Sequence, residues 1–152
     1  MIKKTSLLAL IIALFLVLLS PSLLQAQNEL VVLDNSAQAE FPYRLNFNLS
    51  AESKANITDV RLRYLVDRVS YAQVTSEIYI DVVPGPRVDV SWTWDMRKTG
   101  GLPTGSSVEY WWIIEDANGD RTETAPLHVQ FDDTRYSWHS LTEDKVTIYW
   151  YE

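Results

Sequence analysis

The chain contains no cysteine, which excludes disulfides, thiolate metal sites and cysteine nucleophiles. Histidine is nearly absent as well, with only His128 and His139. Their separation is too long for the one-turn spacing of a His-Glu-x-x-His helix, so both read as solvated side chains rather than ligands. Positive charge is sparse: 13 Lys and Arg stand against 20 Asp and Glu, for a formal net charge of −7. The basic residues are dispersed, and phosphate recognition rests on clustered Lys and Arg, so a nucleic-acid partner is excluded. Five glycines and six prolines mark turns rather than a low-complexity tract. What remains suits a packed domain, because 152 residues at 47 % hydrophobic content can bury a core.

The single long apolar run lies at the start. Lys3 and Lys4 precede an uncharged stretch from Leu7 to Leu19, broken by Ser20, Pro21 and Ser22. Leu24-Gln25-Ala26 then offers a cleavage site between Ala26 and Gln27. This is the three-part layout of a secretory signal peptide over residues 1–26, expected to be helical. The run is shorter than the roughly 20 residues that span a bilayer comfortably, although an uncleaved anchor has the same layout. Export without any cysteine fits a bacterial cell envelope, where the chain is secreted or membrane-anchored.

Beyond residue 30 the hydrophobic period is two. Leu45, Phe47 and Leu49 alternate with Arg44, Asn46 and Asn48. Val60, Leu62, Tyr64 and Val66 alternate with Asp59, Arg61 and Arg63, and Val88, Val90, Trp92 and Trp94 with Asp89, Ser91, Thr93 and Asp95. Such alternation places one face on a core and the other in water. It predicts strands over 29–34, 43–50, 57–66, 74–82, 87–95, 107–115 and 121–131. The intervening segments are turn-like: Pro84-Gly85-Pro86, the run Lys98 to Gly105, and Asn118-Gly119. The expectation is an all-β fold, an immunoglobulin-like or fibronectin type III-like sandwich of about seven strands over residues 27–131. Tyr110, following Leu102-Pro103-Thr104-Gly105, is either a tyrosine corner or a core aromatic in step with Val108, Trp112 and Ile114.

Residues 132–152 read as a separate unit: a polar break at Asp132-Asp133-Thr134-Arg135, a linker, and a strand from Val146 to Tyr151. The strand is expected to begin a further, truncated domain, or to add to an edge of the sandwich.

The search for chemistry returns little. Gly100 and Gly105 have phosphate-loop spacing, but Ser106 and Ser107 stand where Lys and Ser or Thr are required. Asp116-Ala117-Asn118-Gly119-Asp120 is similar to part of a calcium loop, yet its glycine comes too early and no Glu closes it. Asp132 and Asp133 would face opposite ways on a strand, which argues against a paired acid and base. No serine lies in a nucleophile elbow. Catalytic, cofactor-binding and metal residues are therefore expected to be absent from this chain. The aromatics are more informative. Trp111 and Ile113 lie opposite the core face of the same strand, so that strand is apolar on both sides. Trp111, Ile113, Tyr136 and Trp138 form the candidate interaction surface, covered by a further domain, by ordinary packing, or by a stacked glycan.

Three runs carry a resemblance. They are Val90-Ser91-Trp92-Thr93-Trp94-Asp95-Met96-Arg97 with Gly100-Gly101-Leu102-Pro103; Glu109-Tyr110-Trp111-Trp112 with Asp116 to Asp120; and Phe131-Asp132-Asp133-Thr134-Arg135-Tyr136 leading to Trp138. Over nearly all of residues 40–152 the chain resembles the N-terminal region of bacterial peptidase MA family metallohydrolases, of the kind found in Chloroflexota. The resemblance implies a signal peptide, a β-sandwich and a short junction leading to a zinc-dependent peptidase domain with a His-Glu-x-x-His helix. No such motif occurs here, so zinc is expected only in the missing catalytic domain, and no ligand is carried over. The implied role is a non-catalytic accessory module whose partner is the downstream catalytic domain of the same polypeptide. Membrane attachment would come only from an uncleaved signal or a missing C-terminal anchor. The rival reading is a stand-alone cell-surface module that binds glycans or peptides.

Overall fold

A computed structural model describes residues 30–66 and 74–151. The signal segment, with Ala26 and Gln27, lies outside the described residues. The elements are β1 (Val31–Glu40), β2 (Arg44–Val66), β3 (Ser76–Ile80), β4 (Gly85–Asp95), the single-turn helix α1 (Met96–Thr99), β5 (Ser106–Asp116), β6 (Arg121–Glu123), β7 (Leu127–Phe131), β8 (Trp138–Glu143) and β9 (Val146–Tyr151). The all-β expectation holds. Strands β1 to β7 form the sandwich, and β8 and β9 form a separate two-stranded sheet.

The architecture turns on β2. Its first half, Arg44 to Glu52, lies between β1 and β4. Its second half, Asp59 to Val66, pairs with β5, and Val60 to Tyr64 also pair with β3. Strand β5 continues the second layer to β6 and β7 on its other side. The layers are therefore β1-β2-β4 and β3-β2-β5-β6/β7, sharing one strand that changes layer at Ser53 to Ile57. Strands that switch layers this way do so through bends and bulges.

The bulge also sets which side chains are inside. Leu45, Phe47, Leu49, Ala51 and Ile57 are buried at odd positions, whereas Val60 and Leu62 are buried at even ones. The register shifts between Ile57 and Asp59, where one extra residue, Thr58, reverses the alternation. Without that reversal the second half would turn its apolar set to solvent. Val108, Tyr110, Trp112 and Ile114 of β5, Val88 of β4, and Val129 and Phe131 of β7 complete the core. Tyr110 takes the core role of its two readings, meeting Phe47 edge-on at 5.1 Å. Tyr64, Trp92 and Trp94 pack together over the partly open side, with Tyr64 and Trp92 stacked at 5.7 Å.

Several boundaries differ from the sequence expectation. The predicted strands 43–50 and 57–66 are one continuous strand, because the polar residues Ser53 to Asn56 remain extended through the layer change. The predicted strand 121–131 is two, interrupted at Thr124-Ala125-Pro126, where proline has no N–H to donate. The predicted 98–105 loop loses Lys98 and Thr99 to α1, which is capped by the Asp95 carboxylate accepting from Arg97 N at 3.1 Å and closed by Gly100 at φ 83°. Asn118-Gly119 does form a turn, but only Gly119 takes a positive φ, of 84°. Residues 138–143 are strand β8, not linker, and pair throughout with β9. Strand β9 therefore does not add to the sandwich edge.

Candidate docking site

The junction after β7 is built around a buried carboxylate. Asp133 is 5 % exposed, and its backbone N–H donates to Thr104 Oγ1 at 3.1 Å. Nearby, Gly105 N donates to the Phe131 carbonyl at 3.1 Å, which stitches the 103–105 loop to the end of β7. The Asp133 carboxylate accepts two hydrogen bonds from the Arg135 guanidinium, both 2.8 Å, and one from Arg135 N at 3.1 Å. A planar guanidinium matched to both carboxylate oxygens fixes direction as well as distance. The Arg135 hydrogen bonds hold the Asp133 carboxyl below its ordinary value, against the opposing effect of burial.

Arg135 so fixed lies over two rings, Phe41 at 5.6 Å and Tyr136 at 5.5 Å. Phe41 in turn meets the core residue Phe131 at 5.0 Å. On the other side Tyr136 stacks on Tyr151 of β9 at 4.4 Å, and Trp138 meets Tyr151 edge-on at 5.0 Å. The result is a continuous column, Phe131–Phe41–Arg135–Tyr136–Tyr151–Trp138, running from the sandwich core into the hairpin. Each aromatic pair in such a column contributes about 0.5–1.5 kcal/mol beyond its buried area. A groove of about 320 Å³ lies alongside, lined by Thr104, Gly105, Asp132, Tyr136, Trp138 and Tyr149 among others.

The hairpin carries large apolar or aromatic side chains on both faces. Cross-strand partners share a face, so Trp138, Tyr149 and Tyr151 lie on the column side with Ser140, Thr142 and Thr147. The opposite face carries His139, Leu141, Glu143, Val146, Ile148 and Trp150. Among the described residues β8 and β9 pair only with each other, so both outer strand edges carry unpaired backbone groups.

The structure brings together two of the four predicted surface residues, Tyr136 and Trp138. It places the other two elsewhere, on the outer face of β5. There Trp111 is half-buried and opposite Arg63, while Ile113 is fully buried between Arg61 and Glu123 at its register. Ile113 therefore packs and presents no contact surface. The cause is a charged lattice across this face. The Arg61 guanidinium lies 2.8 Å from Asp59 and 3.8 Å from Glu77 and from Glu115, and sits over the Tyr79 ring at 5.6 Å. Arg63 bonds Glu77. Long charged side chains of this kind cover apolar neighbours with their stems.

Phe41, Arg135, Tyr149 and Tyr151 belong to the site without having been singled out for it. The two tyrosines lie in the strand read from Val146 to Tyr151. Arg135 reads as part of a polar break, and only its carboxylate partner two residues earlier hints at more. Phe41 is far from the junction in sequence and gives no local signal.

Among the described residues no group of three or more His, Asp and Glu could hold a metal ion. His128 lies on β7 opposite Glu109, and His139 stacks on Trp150 at 5.6 Å. The Asp116 to Asp120 segment is a turn. The Asp116 carboxylate accepts from Ser53 Oγ at 2.6 Å, Asn118 N at 2.9 Å and Asp120 N at 3.1 Å. The Ser53 hydrogen bond, more than the backbone amides, lowers the Asp116 carboxyl against burial. No helix among the described residues is long and apolar enough to cross a membrane.

No family model and no curated protein matches this chain. Among solved structures, wild-type OgpA from Akkermansia muciniphila aligns in two crystal forms at 13 % and 14 % identity, with TM-scores of 0.48 and 0.45. A catalytically inactive OgpA in complex with an O-glycopeptide (glycodrosocin) substrate aligns at 14 % identity and a TM-score of 0.45. These alignments cover 67–68 % of this chain and only 27–28 % of OgpA. Similarity at this level says nothing about function.

Proposed function

We propose that the protein is a non-catalytic, extracytoplasmic β-sandwich module that holds a neighbouring peptidase-like domain in a fixed orientation. The column from Phe131 to Trp138 carries this reading. It makes the hairpin a rigid projection of the sandwich rather than a tethered tail, and an orienting module needs such a mount. The neighbouring domain joins along the open edges of β8 and β9, where an added strand would satisfy the free backbone groups. The resemblance of the 90–97, 109–120 and 131–138 runs to peptidase MA family metallohydrolases supports the identity of that neighbour. The zinc and its ligands belong to the neighbour, and the lysine-led apolar start supports export. A stand-alone glycan platform is less well supported, because a stacking platform needs a free ring and Tyr136 is engaged by both Arg135 and Tyr151.

Calorimetric titration of the full chain with a zinc peptidase domain of that family tests the reading. Saturable binding that weakens with Tyr151→Ala is expected. Binding no tighter than that of an unrelated sandwich domain overturns it.

A further inference from the structure

The hairpin face turned away from the column is exposed and self-complementary. Leu141, Val146 and Ile148 are 59 %, 62 % and 59 % exposed, and Trp150 is 43 % exposed. The register arranges this face as three rows: His139 beside Trp150, Leu141 beside Ile148, and Glu143 beside Val146. A two-stranded hairpin with an open apolar face is marginal by itself in water.

We propose that this face packs on the same face of a second copy of the chain, about a two-fold axis that lies in the interface and runs across the strands. That operator sets each strand antiparallel over its own copy. His139 then lies over Glu143 of the second copy, and Glu143 over its His139. The large Trp150 lies over the small Val146, and Leu141 and Ile148 each lie over themselves on the axis. The two sheets meet at the usual face-to-face distance of about 10 Å. A histidine N–H donates in either protonation state, so each Glu143 carboxylate finds a donor. The alternative two-fold axis, along the strands, sets Glu143 over Val146 and leaves its carboxylate buried on hydrocarbon without a partner, which is costly. The order of residues on the hairpin therefore selects one isologous arrangement, in which each contact occurs twice.

Six residues a side is fewer than the roughly 20–30 of a standard interface, so the dimer is reversible and concentration-dependent. The second copy takes the hairpin face, and the neighbouring domain proposed above takes the strand edges. The two proposals stand independently.

Sedimentation equilibrium of the full chain over a wide concentration range provides the test. A monomer–dimer equilibrium is expected, weakened about tenfold or more by Ile148→Lys. His139→Glu should weaken it by setting Glu against Glu, and the double variant His139→Glu with Glu143→His should restore it. This exchange keeps the hairpin composition and decides the matter if Ile148→Lys loosens the hairpin. A chain that is monomeric throughout overturns the proposal, as does a double variant no better associated than His139→Glu alone. A parent chain that stays monomeric yet binds the peptidase domain overturns the dimer while leaving the accessory-module reading intact.

Discussion

Tyr136 and Tyr151 stack at 4.4 Å with their planes 26° apart, and this pair joins the segment leaving the sandwich to the outer strand of the hairpin. Because Trp138 also leans on Tyr151, one ring on β9 holds two residues from the junction side. The hairpin's orientation depends on that ring more than on any backbone ladder to the sandwich.

Removing it with Tyr151→Ala deletes two aromatic contacts of about 0.5–1.5 kcal/mol each. The amides of β8 and β9 should exchange about ten- to a hundredfold faster, with the β2 and β5 amides unchanged. Hydrogen exchange read by mass spectrometry checks this. Equal acceleration in the sandwich would show that the two parts unfold as one unit.

Acid should loosen the junction in a defined direction. The carboxyls of Asp116 and Asp133 sit below the ordinary value of 3.8, and that of Asp95 falls to about 2 because Arg97 hydrogen-bonds it. The folded chain thus binds these protons more weakly than the unfolded chain does. Their stabilisation is complete above the unfolded value of 3.8 and is lost as pH falls through the folded values, about 2 for Asp95. The melting temperature should hold on approach from neutral pH and fall below pH of about 4. Asp133→Asn should melt lower at neutral pH and lose part of that acid dependence.

Inserting one alanine after Thr58 tests the strand exchange between layers. A second extra residue should invert the alternation once more, turning Val60 and Leu62 outward. Loss of the cooperative thermal transition is expected. An insertion variant that melts like the parent would refute the parity argument.

Phe47 is fully buried and meets Trp92 and Tyr110, so Phe47→Ala should cost about 3–5 kcal/mol in urea unfolding. Gly105 holds φ at 82° with space beside it, where an added Cβ would stand 3.9 Å from the Tyr149 hydroxyl. Gly105→Ala should therefore destabilise by about 1 kcal/mol through backbone strain rather than collision.

The layers were legible in the sequence because most strands of the sandwich have one wet face. Val88 to Asp95 reads directly, since nothing interrupts its alternation, and Ser106 to Asp116 reads through the core set Val108, Tyr110, Trp112 and Ile114 although its other face is partly apolar. The continuity of β2 was not legible. Ser53-Lys54-Ala55-Asn56 is polar and looks like a turn, whereas in the fold Ser53 bonds Asp116, 63 positions away, and stays extended. Ile113 misled for a related reason: periodicity assigns a side chain to a face but does not say which neighbouring stems lie across it. Tyr136 and Trp138 were recoverable because aromatic residues after a polar break stand out. Arg135 and Phe41 were not, since their roles exist only once distant segments meet.

A two-layered fold ordinarily has a seam, along which its layers slide or part when pulled. Here one unbroken strand is woven through both, so tension entering at the hairpin passes along the ring stack into β7, across β5 and into a rod common to the whole body. The sandwich should therefore resist being pulled apart layer from layer.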